Sequence, residues 1–352
     1  MAIDEAKLNA FLERTVRDVG AVWSASLMVL GEEPRLYAAM AAAGPVTAED
    51  VATRTGTEAR LVAEWLANQA AGGIVEYDSE SGRFTLPPEQ AFVLTDPASP
   101  ADPVDLILGG ILVADDRERL VRAFRGQGEL GWHDHPSGFF AASDRYYAAG
   151  YRAALVQDWI PSLEGVEAKL RRGAKVADVG CGYGSSTVIL ARAYPTSTFR
   201  GFDFHEPSVD EARRSAADAG VADRVRFDVA SVTDYPGDGY DVVLYFDALH
   251  DVGDPTAALG HSLETLAPDG TVAIIEPIAG ERLEENLNPV GRLFYAGSTI
   301  LCVPSSLAQD GKIALGNQVP EERWRELAKD AGYTRFRRAA EAPFNRIFEL
   351  RP

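Results

Sequence analysis

A glycine-rich segment near the middle of the 352-residue chain limits the possible folds more than any other feature. An apolar strand pattern over Lys175 to Val179 runs directly into Gly180-Cys181-Gly182-Tyr183-Gly184, and a helical pattern begins at Ser185. Glycine lets the backbone turn tightly and approach a ligand closely, and a helix N-terminus offers free N–H groups. Because such strand–loop–helix units occur in parallel α/β sheets, the segment predicts a ligand site at the edge of a sheet.

Alternating strand and helix patterns continue after this segment. Short apolar runs bounded by turn residues predict strands, and apolar residues at helical spacing predict the helices between them. The predicted strands are 175–179, 198–202, 225–229, 240–245 and 271–276, and the predicted helices are 185–194, 208–219 and 255–266. This order is typical of a doubly wound parallel sheet. A helix over 320–331 and strands over 334–339 and 345–351 predict a final antiparallel pair.

Acidic residues around the loop distinguish between two kinds of nucleotide ligand. A dinucleotide site has the pattern Gly-x-Gly-x-x-Gly, and Ser185 stands where its third glycine belongs. Asp178, at the end of the strand, would repel a pyrophosphate and suits a cationic ligand. Asp203 ends the next predicted strand, 23 residues after Gly180, at the place where a carboxylate holds a ribose diol.

The loop and these acids occur together in one family pattern. Asp178-x-Gly180-x-Gly182-x-Gly184 and Asp203 resemble the first motif and the ribose-binding acid of class I S-adenosylmethionine-dependent methyltransferases. The resemblance implies an α/β fold with a Rossmann-like seven-stranded sheet whose last strand is antiparallel, S-adenosylmethionine as cofactor and S-adenosylhomocysteine as product. It assigns to the cofactor the residues Asp178, Gly180, Cys181, Gly182, Gly184, Ser185, Asp203, Phe204, Ser231, Val232, Phe246 and Asp247. Many members carry Asp where this chain has Ser231.

A further segment follows the predicted strand 240–245. Its Leu249-His250-Asp251 sequence resembles small-molecule O-methyltransferases with an N-terminal winged-helix dimerisation domain, and residues 286–292 and 304–307 resemble their actinobacterial relatives. In that family a histidine takes the proton of the substrate hydroxyl and a carboxylate positions it, which implies these roles for His250 and Glu276. The intrinsic pKa of histidine suits a general base. We also assign Asp251 to this catalytic group. The alternatives are that His250 packs in the turn and that Asp251 is a turn or N-cap residue.

The first 96 residues predict a winged-helix domain, with helices over 2–30, 34–43 and 57–71 and two short strands over 74–77 and 83–86. Thr47 and the acids after it predict a helix N-terminus. Residues 1–100 contain 7 Lys and Arg against 15 Asp and Glu, and the helix that would enter a DNA groove has Arg60 as its single cation. Because DNA binding depends on cationic phosphate contacts, we expect a dimerisation and substrate-covering module.

Residues 97–172 are predicted to link this domain to a methyltransferase domain over 173–352, with helices over 104–124 and 145–170. Between these helices, His133 and His135 flank Asp134. Two histidines one residue apart without a third ligand are weak evidence for a metal, so the sequence predicts no metal site and favours a structural or substrate-facing loop. Four aromatic residues are candidates for the walls of an acceptor pocket: Tyr147, Tyr151, Phe294 and Tyr295. The alternative is that they pack in the core.

The composition argues against several partners and compartments. A net charge of −19, from 34 Lys and Arg and 53 Asp and Glu, disfavours sequence-independent nucleic-acid binding and anionic membranes. The apolar stretch 21–30 has about half the length of a membrane span, and the first residues lack a basic signal-peptide region, so a cytoplasmic protein is expected. Cys181 and Cys302 form neither a disulfide framework nor an all-cysteine zinc site, and Cys302 is expected to be packing.

The sequence therefore predicts a homodimeric S-adenosylmethionine-dependent methyltransferase that acts on a small molecule, with a hydroxyl of an aromatic or polyketide-like compound as the acceptor. Three alternatives stay open. Methylation of nitrogen, sulfur or carbon by proximity would make His250 less important. A winged-helix regulator would bind the cofactor without turnover, and a related fold would catalyse a rearrangement without methyl transfer.

Overall fold

The computed structural model describes residues 3–352. Its contacts divide the chain into two compact units, Met1–Ile111 and Leu112–Pro352. The predicted linking region 97–172 is therefore shared between the two units, and its role as a separate functional region stays a prediction. Residue 2, where the sequence pattern of the first helix begins, lies outside the described residues.

The front unit, Met1–Ile111, has the helices and the hairpin that the sequence predicts for a winged helix. At the start of α3, the Asp50 N–H donates to Thr47 Oγ1 (3.2 Å) and the Thr47 N–H donates to Asp50 Oδ2 (3.0 Å), so the predicted N-cap is a reciprocal capping box. The hairpin pairs Tyr77 with Phe84. The elements are α1 Glu5–Glu32, α2 Leu36–Ala41, α3 Ala48–Thr55, α4 Ala59–Ala71, β1 Glu76–Asp78, β2 Arg83–Thr85 and α5 Pro88–Thr95.

Helix α1 presents an apolar face to solvent along most of its 28 residues. The exposed apolar side chains recur every three or four residues: Leu8, Phe11, Leu12, Val16, Val19, Val22, Trp23 and Leu30. Trp23 is 75% exposed, and a continuous patch of such side chains is typical of a protein–protein interface. On α4, the helix that would enter a DNA groove, the single cation Arg60 forms an exposed ion pair with Glu64.

The second unit, Leu112–Pro352, contains a seven-stranded sheet and most of the remaining helices, and α6 Pro103–Ala114 spans the boundary. Its strands are β3 Lys175–Val179, β4 Thr198–Asp203, β5 Val225–Val229, β6 Tyr240–Phe246, β7 Leu266–Pro277, β8 Arg335–Glu341 and β9 Asn345–Arg351. Its helices are α7 Arg117–Phe124, α8 Ser137–Ala154, α9 Ile160–Ser162, α10 Val166–Arg172, α11 Ser185–Ala193, α12 Glu206–Asp218, α13 Pro255–Thr265, α14 Pro289–Gly297, α15 Val303–Leu307 and α16 Glu321–Asp330. Within residues 3–352, no helix combines the length and apolar character that crossing a membrane requires.

Two helices predicted before the sheet are interrupted in the structure, so their predicted spans are wrong. The predicted helix 104–124 is divided by a turn into α6 and α7. The predicted helix 145–170 begins earlier, at Ser137, and passes through a π-helical turn at Leu155–Trp159. It stops before Gly165, whose φ of 72° cannot continue a right-handed helix, and α10 starts anew after it.

The sheet has the strand order β5-β4-β3-β6-β7-β9-β8. Neighbours from β5 to β7 are parallel, whereas β9 runs antiparallel to both β7 and β8. The predicted α/β sheet with an antiparallel last strand is thereby confirmed. Because the strand order reverses between β3 and β6, the carboxyl ends of these strands border a crevice of the kind in which α/β sheets bind ligands.

Alternate residues of the strands pack on opposite faces of the sheet. Val176 and Val242 belong to one hydrophobic core with helices α11 and α12, while Ala177 and Val243 belong to a second core with α13 and α16. This period of two is expected for strands covered on both faces. The two cores fix the strands, and with them the loops at their carboxyl ends.

Candidate active site

A cavity of about 700 Å³ lies at the carboxyl ends of β3, β4 and β6. This is the position that the strand order predicts, and the volume is in the range of small-molecule sites. Most of the residues that the sequence assigns to the cofactor line it: Gly180, Cys181, Gly182, Ser185, Asp203, Phe204, Ser231, Val232, Phe246 and Asp247.

The glycine loop uses its backbone N–H groups internally. Gly180 and Cys181 donate to the Phe202 carbonyl at 2.8 and 3.0 Å, and Gly182 donates to Asp203 Oδ2 at 3.0 Å. At Gly180, φ is 75° and an added Cβ would lie 2.7 Å from the Ala248 Cβ, so a side chain is excluded there. A loop whose N–H groups are already bonded, next to buried carboxylates, does not suit a phosphate ligand.

Asp178 and Gly184 support the loop from behind and do not line the cavity. Asp178 is buried, and its Oδ2 accepts hydrogen bonds from the hydroxyls of Ser186 (2.7 Å) and Thr187 (2.5 Å) at the start of α11. Burial raises the pKa of Asp178 to about 6. An added Cβ at Gly184 would lie 2.5 Å from the Phe227 ring. The structure therefore gives both residues a supporting position, and direct contact with a cofactor stays a prediction for them.

Asp203 faces the cavity from the end of β4. Its Oδ1 accepts from the His205 N–H at 2.9 Å and its Oδ2 accepts from the Gly182 N–H, which fixes the carboxylate. Burial raises its pKa, although these backbone hydrogen bonds oppose the rise. Because each carboxylate oxygen can accept a second hydrogen bond, the side chain can still bind a vicinal diol.

Asp247, at the end of β6, has one carboxyl oxygen without a hydrogen-bond partner within residues 3–352. Its Oδ1 accepts from Asn345 Nδ2 at 2.7 Å, whereas its buried Oδ2 is the unpaired oxygen. Its φ is 48°, a left-handed conformation that costs a non-glycine residue energy. Burial and the nearby Glu276 raise its pKa to about 8. An unpaired buried acceptor with a strained backbone in a cavity is typical of a ligand contact.

His250 and Glu276 form a buried pair behind the cavity wall. The His250 Nδ1–H donates to Glu276 Oε2 at 2.5 Å, and Glu276 Oε1 accepts from the Leu249 N–H at 3.0 Å. His250 Nε2 lies 3.2 Å from Asp251 Oδ1, and Asp251 itself lines the cavity. Burial lowers the pKa of His250, but the Asp251 and Glu276 carboxylates outweigh burial and raise this pKa well above its ordinary value.

The four aromatic residues predicted as acceptor walls separate into two pairs. Tyr147 and Tyr151, on α8, line the cavity with parallel rings whose centres are 6.1 Å apart, and Tyr151 also contacts Phe246. Phe294 packs against Phe344, and neither Phe294 nor Tyr295 is among the residues that line the cavity. Tyr147 and Tyr151 thus have the position expected for walls of an acceptor pocket, whereas Phe294 and Tyr295 do not.

Several lining residues could not be identified from the sequence. Asp144 on α8 accepts from the Ser185 hydroxyl at 2.9 Å and thereby connects α8 to the glycine loop. Burial raises the pKa of Asp144. Trp132, Phe140 and the segment 308–311 complete the wall. These residues follow no motif spacing, and an acid on the inner face of a helix, as at Asp144, is the one signal that could have indicated them.

The cavity is strongly acidic. Its lining includes six aspartates and, within residues 3–352, no lysine or arginine: Asp144, Asp203, Asp247, Asp251, Asp254 and Asp310. Asp247, whose pKa is raised to about 8, keeps its proton at neutral pH, and the ionised carboxylates among the other five favour a cationic ligand such as a sulfonium or an ammonium group.

The histidine loop before α8 borders this region. His133 meets the Phe204 ring edge-on with 6.0 Å between ring centres, and His135 is buried beside Phe139. Both ring nitrogens of His135 lack a hydrogen-bond partner within residues 3–352, and burial lowers its pKa. The structural placement of His135 is therefore that of a neutral core residue.

Family models match both parts of the chain. Residues 170–331 match a methyltransferase domain, and residues 23–96 match an Rv2258c-like winged helix-turn-helix domain. Among curated proteins, the 27-O-demethylrifamycin SV methyltransferase of Amycolatopsis mediterranei is 32% identical over 107 residues, which are 30% of this chain and 39% of that protein. The chain thus matches less than half the length of this relative.

Solved structures resemble the chain over nearly its whole length. The mitomycin 7-O-methyltransferase MmcR superposes with a TM-score of 0.65 at 21% identity, covering 99% of this chain and 100% of that one. Human N-acetylserotonin methyltransferase, solved with S-adenosylmethionine, superposes with a TM-score of 0.68 at 15% identity, covering 99% and 98%. At these identities the likeness shows the fold. The chain is therefore similar to an Rv2258c-like winged helix-turn-helix domain over residues 23–96 and to a methyltransferase domain over residues 170–331, and it has the fold of the solved S-adenosylmethionine-dependent methyltransferases.

Proposed function

We propose that this protein transfers the methyl group of S-adenosylmethionine to a hydroxyl of a small molecule. The cavity supplies the donor set that the cofactor needs: Asp203 for the ribose hydroxyls, Phe204, Ser231 and Val232 at the adenine, and the closely approaching Gly180 and Gly182. The ionised aspartates of the cavity suit the positive sulfonium and ammonium groups. When bound, S-adenosylmethionine supplies an electrophilic methyl group for in-line displacement.

In this proposal His250 accepts the proton when its ring is neutral; because the Asp251 and Glu276 carboxylates raise its pKa and favour the protonated form, turnover should increase as the pH rises. Glu276 fixes the ring through Nδ1, which leaves Nε2 directed toward Asp251 at the cavity wall. A neutral hydroxyl is a weak nucleophile, and a positioned base contributes about 10²–10⁴-fold to such reactions. The His250–Glu276 pair beside a cavity that contains the fixed carboxylate of Asp203 is the single observation that carries the proposal of O-methylation.

The acceptor is proposed to be a flat, largely apolar compound with a hydroxyl. Tyr147, Tyr151 and Phe246 present aromatic surface to the cavity near the unpaired Asp247 oxygen. Aromatic walls with few polar groups are typical of pockets for such molecules. The names of two similar proteins, methyltransferases of demethylrifamycin and mitomycin, support an acceptor from secondary metabolism.

A homodimer that forms through the front unit is part of the proposal. Monomeric proteins rarely expose an apolar patch that extends along a whole helix, as α1 does. A second copy of the chain would bury this face. Sedimentation velocity of the full chain should show a dimer. Trp23→Glu should convert it to a monomer, and a monomeric wild type would contradict this part of the proposal.

Isothermal titration calorimetry of the full chain with S-adenosylhomocysteine tests the cofactor assignment. We expect saturable binding in the micromolar range, and absence of heat with both this product and S-adenosylmethionine would overturn the proposed function. Incubation with methyl-labelled S-adenosylmethionine and a panel of aromatic hydroxyl, amine and thiol compounds then identifies the acceptor atom. Labelling of amines or thiols alone would exclude O-methylation in favour of the alternative methyl acceptors.

A further inference from the structure

Three of the six cavity aspartates are already engaged by other groups of the protein. Asp203 is fixed by two backbone N–H groups and is assigned to the ribose hydroxyls. Asp251 Oδ1 lies 3.2 Å from His250 Nε2. Asp254 is the N-cap of α13, where its Oδ1 accepts from the Ala257 N–H at 2.9 Å. These roles leave the other three aspartates as candidate partners for the ammonium group of the cofactor's amino-acid part.

Asp144 differs from the remaining two aspartates in charge and in burial. Asp247 keeps its proton at neutral pH because its pKa is raised to about 8, so it has little negative charge to offer. Asp310 is exposed to solvent, where water and salt screen a charge. Asp144 lines the cavity from α8 in a partly buried position, where an ionic contact is screened less.

Asp144 is anchored to the start of α11. Its Oδ2 accepts from the Ser185 hydroxyl at 2.9 Å, and Ser185 is the first residue of α11 after the glycine loop. Burial raises the pKa of Asp144, while the Ser185 hydrogen bond and the Arg145 charge oppose the rise and favour the carboxylate. Because each carboxylate oxygen can accept more than one hydrogen bond, the contact with Ser185 leaves Asp144 able to bind a further donor.

The order of the strands brings Asp144 to the part of the cavity that the adenine and the ribose leave free. Ser231 and Val232 follow β5, Asp203 ends β4, and the glycine loop follows β3, which is the next strand in the sheet. The proposed function assigns the adenine to the first of these positions and the ribose to the second. The amino-acid part of the cofactor therefore falls at the third, where Ser185 holds Asp144.

We propose that the Asp144 carboxylate binds the ammonium group of the cofactor's amino-acid part. This contact rests on the proposed function, because it adds a residue to the same cofactor site. A hydrogen bond from an ammonium group to a carboxylate is charge-assisted and is about twice as strong as one between neutral groups. Because α8 also carries Tyr147 and Tyr151, one helix contacts the cofactor through its acid and the acceptor through its aromatic rings.

Calorimetric titration of the full chain with S-adenosylhomocysteine and with methylthioadenosine tests this contact. Both compounds have the adenine, the ribose and a thioether sulfur, but methylthioadenosine lacks the amino-acid part and its ammonium group. Asp144→Asn removes the charge and keeps an oxygen that can accept from the Ser185 hydroxyl. The variant should bind S-adenosylhomocysteine roughly tenfold or more weakly than the wild type does. Its affinity for methylthioadenosine should be unchanged, which also verifies that the variant is folded.

Glu211→Gln is the matched control. Glu211 lies on α12, adds to the negative charge around Asp144 and pairs with Arg214, but it is not among the residues that line the cavity. This variant should bind both compounds as the wild type does.

The two titrants separate the outcomes. An undiminished affinity of Asp144→Asn for S-adenosylhomocysteine would overturn the proposal. An equal loss of affinity for both compounds would also overturn it, because Asp144 would then act by holding the glycine loop through Ser185. Absence of S-adenosylhomocysteine binding by the wild type would instead overturn the proposed function, and this contact with it.

Discussion

The two sides of the cavity are built in different ways. The glycine-loop side consists of Gly180–Ser185 and Asp203, which are held by hydrogen bonds from the loop N–H groups to the Phe202 carbonyl and to the Asp203 carboxylate. The histidine side consists of His250, Asp251, Glu276 and Cys302, which come from the ends of two strands and a π-helical turn. The first side depends on backbone geometry, and the second depends on the convergence of side chains.

The two sides therefore restrict their residues in different ways, by steric fit on the glycine-loop side and by charge on the histidine side. On the glycine-loop side, Gly180 and Gly184 are required because a Cβ would collide with Ala248 or Phe227. On the histidine side, the Asp251 and Glu276 carboxylates raise the pKa of His250. Substitutions on the first side should therefore act mainly on stability and cofactor affinity, and substitution of His250 on the second side should act mainly on turnover.

His250→Ala gives the largest expected effect and the most direct test of this division. Turnover of the acceptor should fall by about 10²–10⁴-fold, because a positioned base contributes that much. The affinity for S-adenosylhomocysteine should stay at the wild-type value, since most of the residues assigned to the cofactor lie on the glycine-loop side and His250 is not among them. Steady-state kinetics and calorimetry measure the two quantities, and wild-type turnover in the variant would remove His250 as the base.

Gly184→Ala should produce the largest loss of stability on the glycine-loop side. The new Cβ would meet the Phe227 ring at 2.5 Å and the residue would keep a φ of 79°. Strain of about 1–2 kcal/mol and overpacking of about 1–3 kcal/mol should lower the free energy of unfolding by about 2–5 kcal/mol. Gly182→Ala is the control, because φ is also positive there but no atom lies within 4 Å of the new Cβ.

In denaturant unfolding, Gly182→Ala should cost only the backbone strain of about 1–2 kcal/mol. An equal loss of stability in the two variants would show that Phe227 moves aside and that the close contact at Gly184 does not restrict the loop.

The sequence predicts the sheet well because each strand is a local pattern. Every predicted strand of the second unit overlaps an observed strand, and the antiparallel end is correct. The helices before the sheet are less predictable. Their apolar spacing continues through the break before Gly165, so periodicity alone cannot show that the chain leaves the helical conformation there.

The same contrast applies to the site. The glycine-loop residues adjoin one another in the sequence, so their spacing predicts a common cavity, which the structure shows. Asp144 and Cys302 have no such spacing to the rest of the site. Cys302, expected from the sequence to be packing, lies beside His250 only because the turn Ser298–Cys302 packs there. Long-range packing of this kind has no local signature.

Asp178 should make stability pH-dependent, because its folded-state pKa of about 6 exceeds the ordinary value of a carboxyl group. Well below pH 4 this carboxyl group is protonated in both the folded and the unfolded protein, so it does not change the free energy of unfolding. As the pH rises toward 6, the unfolded chain loses the proton first, so the free energy of unfolding should fall by at most about 3 kcal/mol. In Asp178→Asn this part of the decline should be absent.

Denaturant unfolding of both proteins from pH 4 to pH 7 measures the difference. Parallel curves for the wild type and Asp178→Asn would show that the carboxyl group is not desolvated, despite its burial beneath the Ser186 and Thr187 hydroxyls.

Asp203→Ala should have the smallest free-energy effect and should act on cofactor affinity. Loss of the carboxylate removes the acceptor for a ribose diol and leaves the Gly182 N–H without its hydrogen bond. The affinity for S-adenosylhomocysteine should fall at least tenfold, about 1.4 kcal/mol. Asp228→Ala is the control, because Asp228 lies on the adjacent strand β5, pairs with Arg200 at 2.5 Å and is absent from the cavity lining.

Calorimetry should show an unchanged affinity for S-adenosylhomocysteine in Asp228→Ala, because this substitution removes no ligand contact. Loss of the partly exposed Asp228–Arg200 ion pair should change stability by only about 0–1 kcal/mol. Adenosine as the titrant separates the two contributions of Asp203, since it has the ribose diol but lacks the amino-acid part of the cofactor. If Asp203 binds the diol, the variant should lose affinity for adenosine by the same factor. An undiminished affinity for adenosine would mean that Asp203 acts by holding Gly182, and the glycine-loop side would then depend on backbone geometry even at its carboxylate.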